Sequence, residues 1–452
     1  GVFVNLSDEE QSFDGQTVSA ETATDRTGAD PKIVGIDSVA GLDNATGSTA
    51  DDILVGNSNA NTLSGEDGND LIVGGGGDDE VAGGAGDDTI VWNAGDGRDQ
   101  VTGSAPGDSG AGETDTFIVN GSAVAEHFYV ETVAAYNARL GSSAEALAVD
   151  TEVVVSRAVG GGATTIVAEL DNIDHIDING LGGSDALDVS GDFSGTDLDP
   201  DAVNFTGGDD DDTVDTTGVS SNHRVLFEGN AGEDTLLSGV GVSTFEAGDD
   251  TDAADYSSAS GGVLVRLGQG LATDVANNSL NLPTLLAGIN NGTIAHDDLL
   301  DVENAAGSSF NDLIVGTGGA NSLFGNDGID HLFGYRGNDL LFGGAGRDVI
   351  VGGAGSDQLF GGADRDLLIG GADADKFVFA AGEGGALLSD ADRISDFQDG
   401  VDKIAITGGL TFADLTISDD GNGNATVFDT VNNQYVVVVN GTAASDLDAS
   451  DF

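Results

Sequence analysis

The sequence predicts an all-β protein, a parallel solenoid of the β-roll or β-helix type with a β-rich cap at its C-terminus. Residues 307–378 read as consecutive nine-residue units without a slip in register. The chain contains 73 glycines but only 4 prolines. Much of the remainder consists of short β-branched runs separated by Gly, Asn and Asp, which is typical of strands and turns. A repeat of this kind favours an extended solenoid over several compact domains.

Each nine-residue unit has Gly first, Asp or Asn sixth and an apolar residue eighth. In the unit GGAGRDVIV these are Gly343, Asp348 and Ile350. We expect positive φ and close approach across the first six residues, which Gly permits, and a short strand over the last three with Ile350 pointing inward. Because each turn reverses the chain, two units make one coil, and each unit should stack on the second unit after it.

A shorter array with the same pattern begins at Gly47 and ends before Trp92. Both arrays carry Asn at the sixth position of their second unit, at Asn61 and Asn321. The segment GVFVNL that opens the chain also resembles GVLVRL from Gly262, ahead of the second array. An internal duplication explains these matches. We interpret Trp92 as a cap over the open end of the first array.

Between the arrays, three isolated units begin at Gly180, Gly207 and Gly229, which predicts larger coils of about 20 to 27 residues. Residues 133–149 are compatible with a short helix, and residues 425–429 and 435–440 with a capping hairpin. The predicted domains are a lead-in β segment at 1–46, a first β-roll at 47–103, an irregular β-helix at 104–260, a second lead-in at 261–306, a second β-roll at 307–378, and a C-terminal cap at 379–452.

Charge narrows the choice of partners. With 80 acidic and 13 basic residues, the formal net charge is −67. Nucleic acids and anionic membranes both require basic patches, so neither is an expected partner. No apolar run approaches the length of a membrane helix, so membrane insertion is not expected either. Because such a charge opposes a compact state, divalent cations are the expected partners.

Calcium suits the repeat, since it takes six to eight oxygen ligands from carboxylates and backbone carbonyls. Stacked turns supply both kinds. The predicted metal ligands are the sixth residues of the units: Asp52, Asn61, Asp70, Asp79, Asp88, Asp185, Asp212, Asp234, Asp312, Asn321, Asp330, Asp339, Asp348, Asp357, Asp366 and Asp375. One inward side chain per unit cannot offset the ordering entropy of so Gly-rich a chain. Bound ions must therefore supply folding free energy, and we expect the calcium-free chain to be largely disordered.

Phenylalanine occupies the ninth position of several units, at Phe324, Phe333, Phe342 and Phe360. Alternation along the strand predicts that these side chains point outward in a row. An exposed apolar row of this kind indicates a covering domain, a partner chain or an interaction surface.

Units such as GGAGRDVIV and GGAGSDQLF resemble the RTX, or haemolysin-type calcium-binding repeat, family. Residues 373–406 resemble the segment that follows the repeats in serralysin-type proteases and related exoproteins. The resemblance implies type I export through an uncleaved C-terminal signal within residues 379–452, and the ending DLDASDF is similar to such signals. It also implies an extracellular or cell-surface protein that folds on meeting calcium. The chain has no Met and no N-terminal signal peptide, so we expect its natural N-terminus to lie upstream or to have been removed.

No catalytic set is apparent. The five histidines never form H-E-x-x-H, and G-x-S-x-G is missing, so we predict that the chain is not an enzyme. The favoured hypothesis is a self-assembling structural subunit of a surface layer, sheath or filament. Alternatives are the secretion and stabilisation part of an exoenzyme or toxin, and a calcium-dependent glycan-binding adhesin. The expected partners are calcium, copies of the same chain and cell-surface polysaccharide.

Overall fold

A computed structural model describes residues 2–5, 11–13, 16–18, 22–27, 32–38, 43–104, 113–239, 243–275, 296–381 and 383–452. The chain divides into two compact units, residues 1–232 and residues 233–452. Each is built mainly of short strands that pair in parallel and alternate between two walls. The predicted all-β solenoid is confirmed, whereas the predicted domain boundaries stay predictions.

In the first unit, the first of the lead-in strands pairs with the first wall, and the second wall lies opposite the first. The lead-in strands are β1 (Val2–Asn5), β2 (Gln11–Phe13), β3 (Gln16–Val18), β4 (Thr22–Thr27) and β5 (Lys32–Ser38). The first wall contains β7 (Ile53–Val55), β9 (Leu71–Val73), β11 (Thr89–Asn93), β13 (Thr116–Asn120), β17 (His175–Asn179), β19 (Val203–Gly208) and β21 (Val225–Ala231). The second contains β6 (Asn44–Thr49), β8 (Thr62–Asp67), β10 (Glu80–Ala85), β12 (Asp99–Ser104), β14 (Glu126–Thr132), β15 (Val153–Val159), β16 (Thr165–Asp171), β18 (Ala186–Gly191) and β20 (Thr213–Val219).

An antiparallel insertion interrupts the second wall. Strand β16 pairs in parallel with β12, and β14 pairs in parallel with β18, while β15 lies antiparallel between β14 and β16. Helix α1 (Val133–Leu140) connects β14 to β15 and buries Tyr136 against Val154 and Ile166. The short helix predicted within residues 133–149 is therefore present, and the solenoid passes through the insertion without losing its parallel register.

The second unit contains the longer array. Its first wall contains β23 (Thr244–Asp249), β25 (Gly262–Arg266), β26 (Leu271–Val275), β27 (Asp297–Leu300), β29 (Leu313–Val315), β31 (His331–Arg336), β33 (Val349–Ala354), β35 (Leu367–Ala372) and β37 (Asp392–Ile394). Its second wall contains β22 (Thr235–Leu237), β24 (Ala253–Asp255), β28 (Asn304–Ala306), β30 (Ser322–Gly328), β32 (Leu340–Gly346), β34 (Gln358–Ala363), β36 (Lys376–Ala380) and β38 (Lys403–Thr407).

The end of the chain forms the predicted hairpin. The hairpin consists of β40 (Ala425–Asp429) and β41 (Gln434–Val439), which pair antiparallel, and β39 (Leu415–Asp419) pairs antiparallel with β40. Strand β41 also pairs in parallel with β37. This hairpin occupies the position beside β37 where the first wall would otherwise end in unpaired backbone groups, as a capping element should.

The core is a stack of eighth-position side chains. Leu341 pairs with Leu359 across β32 and β34, and Ile350 pairs with Leu368 across β33 and β35. Each of these side chains is fully buried. The stacking of each unit on the second unit after it is therefore as predicted. Because one side chain per unit fills this interior, the repeated core is narrow.

The lead-in segments occupy equivalent places in the two units. Val4 in β1 pairs in parallel with Leu54 in β7, and Val265 in β25 pairs in parallel with Ile314 in β29. In both cases the partner is the eighth residue of the first nine-residue unit. This correspondence supports the duplication inferred from the sequence.

Two predictions about aromatic residues are wrong. Trp92 is not an end cap, because β11 pairs with β13 beyond it, and Trp92 lies inside the wall at 3 % exposure. The phenylalanines do not form one row either. Phe324, Phe342 and Phe360 stack on the outside of the second wall, with ring centroids 4.8 and 4.4 Å apart, whereas Phe333 lies on the first wall between Val315 and Val351. Successive units alternate walls, so a shared ninth position places residues on opposite faces.

Candidate metal centres

The sixth-position aspartates form ladders along the solenoid. The backbone N–H of Asp330 donates to Oδ1 of Asp348, and that of Asp348 donates to Oδ1 of Asp366, both at 2.8 Å. Asp339 and Asp357 are linked in the same way at 2.8 Å on the opposite turn column. One oxygen of each carboxylate thus holds the neighbouring coil in register, and the side chains are almost completely buried.

The second carboxylate oxygen of these residues is buried without a hydrogen-bond partner among the described residues. This holds for Oδ2 of Asp70, Asp79, Asp88, Asp185, Asp252, Asp330, Asp339, Asp348, Asp357, Asp366 and Asp375. A buried, unpaired carboxylate oxygen is costly. A row of them therefore indicates places where cations belong.

The first glycine of each unit leaves room for this oxygen. A Cβ atom at Gly343 would lie 2.5 Å from Oδ2 of Asp348 and 2.6 Å from the carbonyl oxygen of Gly361 in the next coil. The φ of Gly343 is not positive, so space and not backbone conformation requires glycine here. A carboxylate oxygen and a backbone carbonyl therefore border the same small space.

Positive φ occurs at the second and fourth positions, not across the first six residues as predicted. Gly344 and Gly346 have φ of 110° and 135°, and Gly353 and Gly355 follow the same pattern. Tyr335, a non-glycine second residue, adopts φ 79°. Left-handed φ is rare for such a side chain, so the packing of adjacent coils imposes the turn. We call these open turns: the second residue has positive φ, and the sixth residue is a buried Asp.

The opening coil of each array has a different turn. Ser308 donates its N–H to Oδ2 of Asp312 at 2.6 Å and its hydroxyl to Oδ1 at 2.9 Å. Ser48 and Asp52 make the equivalent bonds in the first array. None of these second residues has positive φ. We call these closed turns, because the N–H of the second residue donates to the side chain of the sixth.

The second units of the arrays also have closed turns. Thr317 donates its N–H to Oδ1 of Asn321 at 2.7 Å, and Asn57 does the same to Asn61 at 2.7 Å. Asp52, Asn61, Asp312 and Asn321 are therefore brought into the predicted ladders, but their oxygens already accept hydrogen bonds within the turn.

Burial raises the pKa of the ladder carboxyls. The pKa of Asp330 rises to about 8 and that of Asp366 to about 7, and desolvation is the largest cause in both. The backbone hydrogen bond from the preceding coil opposes the rise, while neighbouring carboxylates add to it. Without a cation, the charged form is therefore disfavoured at these positions.

The donor set fits calcium. Hard carboxylate oxygens and backbone carbonyls are the ligands that calcium prefers. Across the described parts of the chain, no three acidic or histidine side chains converge as a metal cluster. An ion held by these turns would therefore draw on backbone carbonyls beside one or two carboxylates. When bound, it would neutralise buried charge and link adjacent coils.

The structure brings the predicted residues of the middle region into the same kind of turn. Asp185 donates its N–H to Oδ1 of Asp212 at 2.7 Å, and Leu181, four residues before Asp185, has φ 77°. Asp234 donates its N–H to Oδ1 of Asp252 at 2.8 Å. Metal ligation by these residues and by those of the arrays stays a prediction.

Sequence reasoning missed Asp252. It follows an open turn in which Gly248 has φ 108° and Asp250 has φ 81°, and its side chain is fully buried. The unit reads AGDDTD, with Ala247 where the repeat has Gly. A search for the second-position Gly and sixth-position Asp alone would have found it. The ladders also continue through acidic residues outside the nine-residue pattern: Asp99, Asp115, Glu126, Glu303, Asp392 and Asp402.

Comparison with known proteins identifies the repeats. Six overlapping segments match the family "RTX calcium-binding nonapeptide repeat (4 copies)": residues 39–72, 46–81, 55–90, 306–341, 324–359 and 342–377. No curated protein matches the chain significantly.

Among solved structures, the chain is similar to the AlgE6R3 subunit of the Azotobacter vinelandii mannuronan C5-epimerase, determined in solution. The two are 27% identical, and the match covers 31% of this chain and 77% of that chain with a TM-score of 0.21. In the described residues, no helix is both long and apolar enough to span a membrane. The family match and the geometry of the turns agree that this chain contains two arrays of RTX calcium-binding nonapeptide repeats.

Proposed function

We propose that this chain is an extracellular structural protein that folds and stiffens on binding calcium and assembles with copies of itself into a surface layer, sheath or filament. One observation carries the proposal: open turns repeat along both arrays, and each of these places a buried carboxylate oxygen where no donor among the described residues reaches it and a cation would satisfy it. Calcium then acts as a structural element at many turns of both arrays and not at one local site.

Charge supports a calcium-dependent fold. The formal net charge of −67 includes the ladder aspartates, whose burial beside one another is unfavourable while they are ionised. Each calcium ion removes two negative charges and adds ligand bonds between coils. Because the unfolded chain has no such sites, the binding free energy becomes folding free energy. The chain would stay unfolded at cytosolic calcium and fold outside the cell, consistent with export by a type I-like pathway.

The outer faces of the second array support assembly. On the second wall, Phe324, Phe342 and Phe360 stack outward, and Phe324 is 38 % exposed. On the first wall, the outward residues of β29, β31, β33 and β35 are mostly Leu, Val, Phe and Ile, and are half-buried. An array with two apolar faces has surfaces suited to lateral contact between copies.

Electron microscopy and sedimentation of the full chain test this function. With millimolar calcium we expect ordered sheets or fibres, and with a chelator only dispersed chains. Phe342→Ser should abolish assembly while leaving the calcium-induced circular dichroism signal intact, because its side chain is outside the core. Asn422→Ser, on an exposed turn of the hairpin, serves as the control. Dispersed monomers at every calcium and protein concentration would rule out the assembly role.

A second candidate function is binding of cell-surface polysaccharide by the first unit. On the outside of its first wall, Asn179 donates to Asn120 at 2.9 Å, and Asn120 donates to Asn93 at 3.0 Å. Beside this amide row is a depression of about 220 Å³ lined by Asp177, Asn204 and Glu228, among others. Aligned amides and carboxylates suit sugar hydroxyls. A glycan array with the calcium-loaded protein, compared with Asn120→Ala, tests this candidate.

A further inference from the structure

Asparagine replaces aspartate at the sixth position of the second unit in both arrays. Asn321 accepts the N–H of Thr317 at Oδ1, as described above, and its Nδ2 donates to the carbonyl oxygen of Glu303 at 2.6 Å. Asn61 makes the same pair of bonds, with Nδ2 donating to the carbonyl oxygen of Asp43 at 2.8 Å. The two sites lie at the same position of the duplicated arrays, and these hydrogen bonds are equivalent in both.

One of these bonds occupies the side-chain oxygen that a cation would use. In the open turns of the two arrays, the sixth side chain presents a carboxylate oxygen that no donor among the described residues reaches. At Asn321 the amide Oδ1 takes its place beside Gly316, but this oxygen is neutral and already accepts the N–H of Thr317. The other group of the amide is an N–H₂ donor, which cannot ligate calcium. The same N–H₂ group also engages the carbonyl of Glu303 in the preceding coil. The turn therefore lacks both the negative charge and a side-chain oxygen that no donor reaches.

The first unit of each array is also satisfied without a metal. Both carboxylate oxygens of Asp312 accept hydrogen bonds from Ser308, and Oδ1 accepts a further one from the N–H of Val263 at 2.6 Å. Asp52 receives its bonds from Ser48. Neither aspartate is among the buried carboxyls with an unpartnered oxygen in the described residues. Hydrogen bonds thus do here what an ion would do in the open turns.

We infer that the opening coil of each array binds no calcium, and that Asn61 and Asn321 end the rows of ions. The inference rests on calcium binding by the open turns, as proposed above. It gives each array a first coil that is complete without calcium, against which the calcium-dependent coils can stack. It also reassigns Asp52, Asn61, Asp312 and Asn321 from calcium ligands to a metal-free boundary.

Counting bound calcium tests the inference. Full-length wild type, Asn321→Ala and the double variant Thr317→Gly/Asn321→Asp would be equilibrated with calcium and examined by native mass spectrometry and isothermal titration calorimetry. Asn321→Ala should bind as many ions as wild type. The double variant recreates an open turn and should bind one ion more. Asp339→Asn, in an open turn of the same column, is the control and should bind one ion fewer.

Loss of an ion from Asn321→Ala would overturn the inference, and so would a double variant with no additional ion. Circular dichroism in saturating calcium establishes that each variant is folded. If Asn321→Ala does not fold, Asn61→Ala in the first array and the gain of an ion by the double variant still decide the question. A wild type that binds no calcium would instead contradict the proposed function, so the two failures are distinguishable.

Discussion

Asp348 accepts a 2.8 Å hydrogen bond at Oδ1 from the backbone N–H of Asp330, while its Oδ2 is buried and has no hydrogen-bond partner among the described residues. The first oxygen sets the register of adjacent coils without any ion. The second oxygen of the same carboxylate has no donor among the described residues to balance its negative charge. This division of roles explains how one residue type can specify the fold and also make it depend on calcium.

Removal of calcium should unfold the repeats. In the calcium-free state, neighbouring carboxylates lie buried with unpartnered oxygens, and the narrow core cannot compensate for the entropy of a Gly-rich chain. We expect the far-UV circular dichroism signal of β structure to fall on addition of a chelator and to return with millimolar calcium. Magnesium at the same concentration is the control, because it demands a stricter octahedral geometry. A spectrum unchanged by the chelator would contradict the prediction.

Acid should partly replace calcium. Burial raises the pKa of Asp330 to about 8 and that of Asp366 to about 7, against 3.8 in the unfolded chain. Groups shifted upward favour the folded state when protonated, fully below pH 3.8, and this contribution is lost as the pH rises through about 7 to 8. With a chelator present, we expect more β structure at about pH 5 than at about pH 8.5.

Calcium titrations followed at the two pH values provide the complementary measurement. Because protonation already favours the folded state over this pH range, the calcium concentration at the folding midpoint should be lower at the lower pH. Equal signals from the calcium-free protein at both pH values would contradict this account.

Filling the space beside an open turn should destabilise the calcium-bound protein. The Cβ of Gly343→Ala would overlap Oδ2 of Asp348 and the carbonyl oxygen of Gly361. We expect a loss of about 1 to 3 kcal/mol in the free energy of unfolding, measured by denaturant titration in calcium. Gly318→Ala is the matched control, since a Cβ there meets no atom within 4 Å and its φ is not positive. Equal stability of the two variants would argue against a crowded first position.

Neutralising one ladder carboxylate should weaken calcium-dependent folding. Asp348→Asn keeps the size of the side chain and an oxygen for the N–H of Asp330, but it removes the charge of an open turn. We expect the calcium concentration at the folding midpoint to rise about tenfold, or ~1.4 kcal/mol. Asp327→Asn, an exposed aspartate of the same array, removes an equal charge and should leave the midpoint almost unchanged. The two midpoints would be read from calcium titrations followed by circular dichroism.

The repeat period made much of this fold predictable. A sixth-position Asp and an eighth-position apolar residue, repeated without a slip, admit one stacking register. In that register Leu341 pairs with Leu359, and Asp348 is hydrogen-bonded to Asp330 and Asp366. The period could not reveal Asp252, because Ala247 interrupts the glycine pattern although the turn is intact. The period also places Phe333 and Phe342 at the same ninth position of their units. In the structure they lie on different walls, because successive units alternate between walls.

The sequence by itself determined the all-β class, the stacking of alternate units and the rows of buried aspartates, because these follow from periodicity and local turn chemistry. Only the tertiary structure decided which turns are open and which are closed. That distinction depends on whether a donor reaches the second oxygen of the sixth residue, and on carbonyl groups such as that of Glu303 in the preceding coil. Hydrogen-bond satisfaction between coils is a non-local property, and a nine-residue pattern does not contain it.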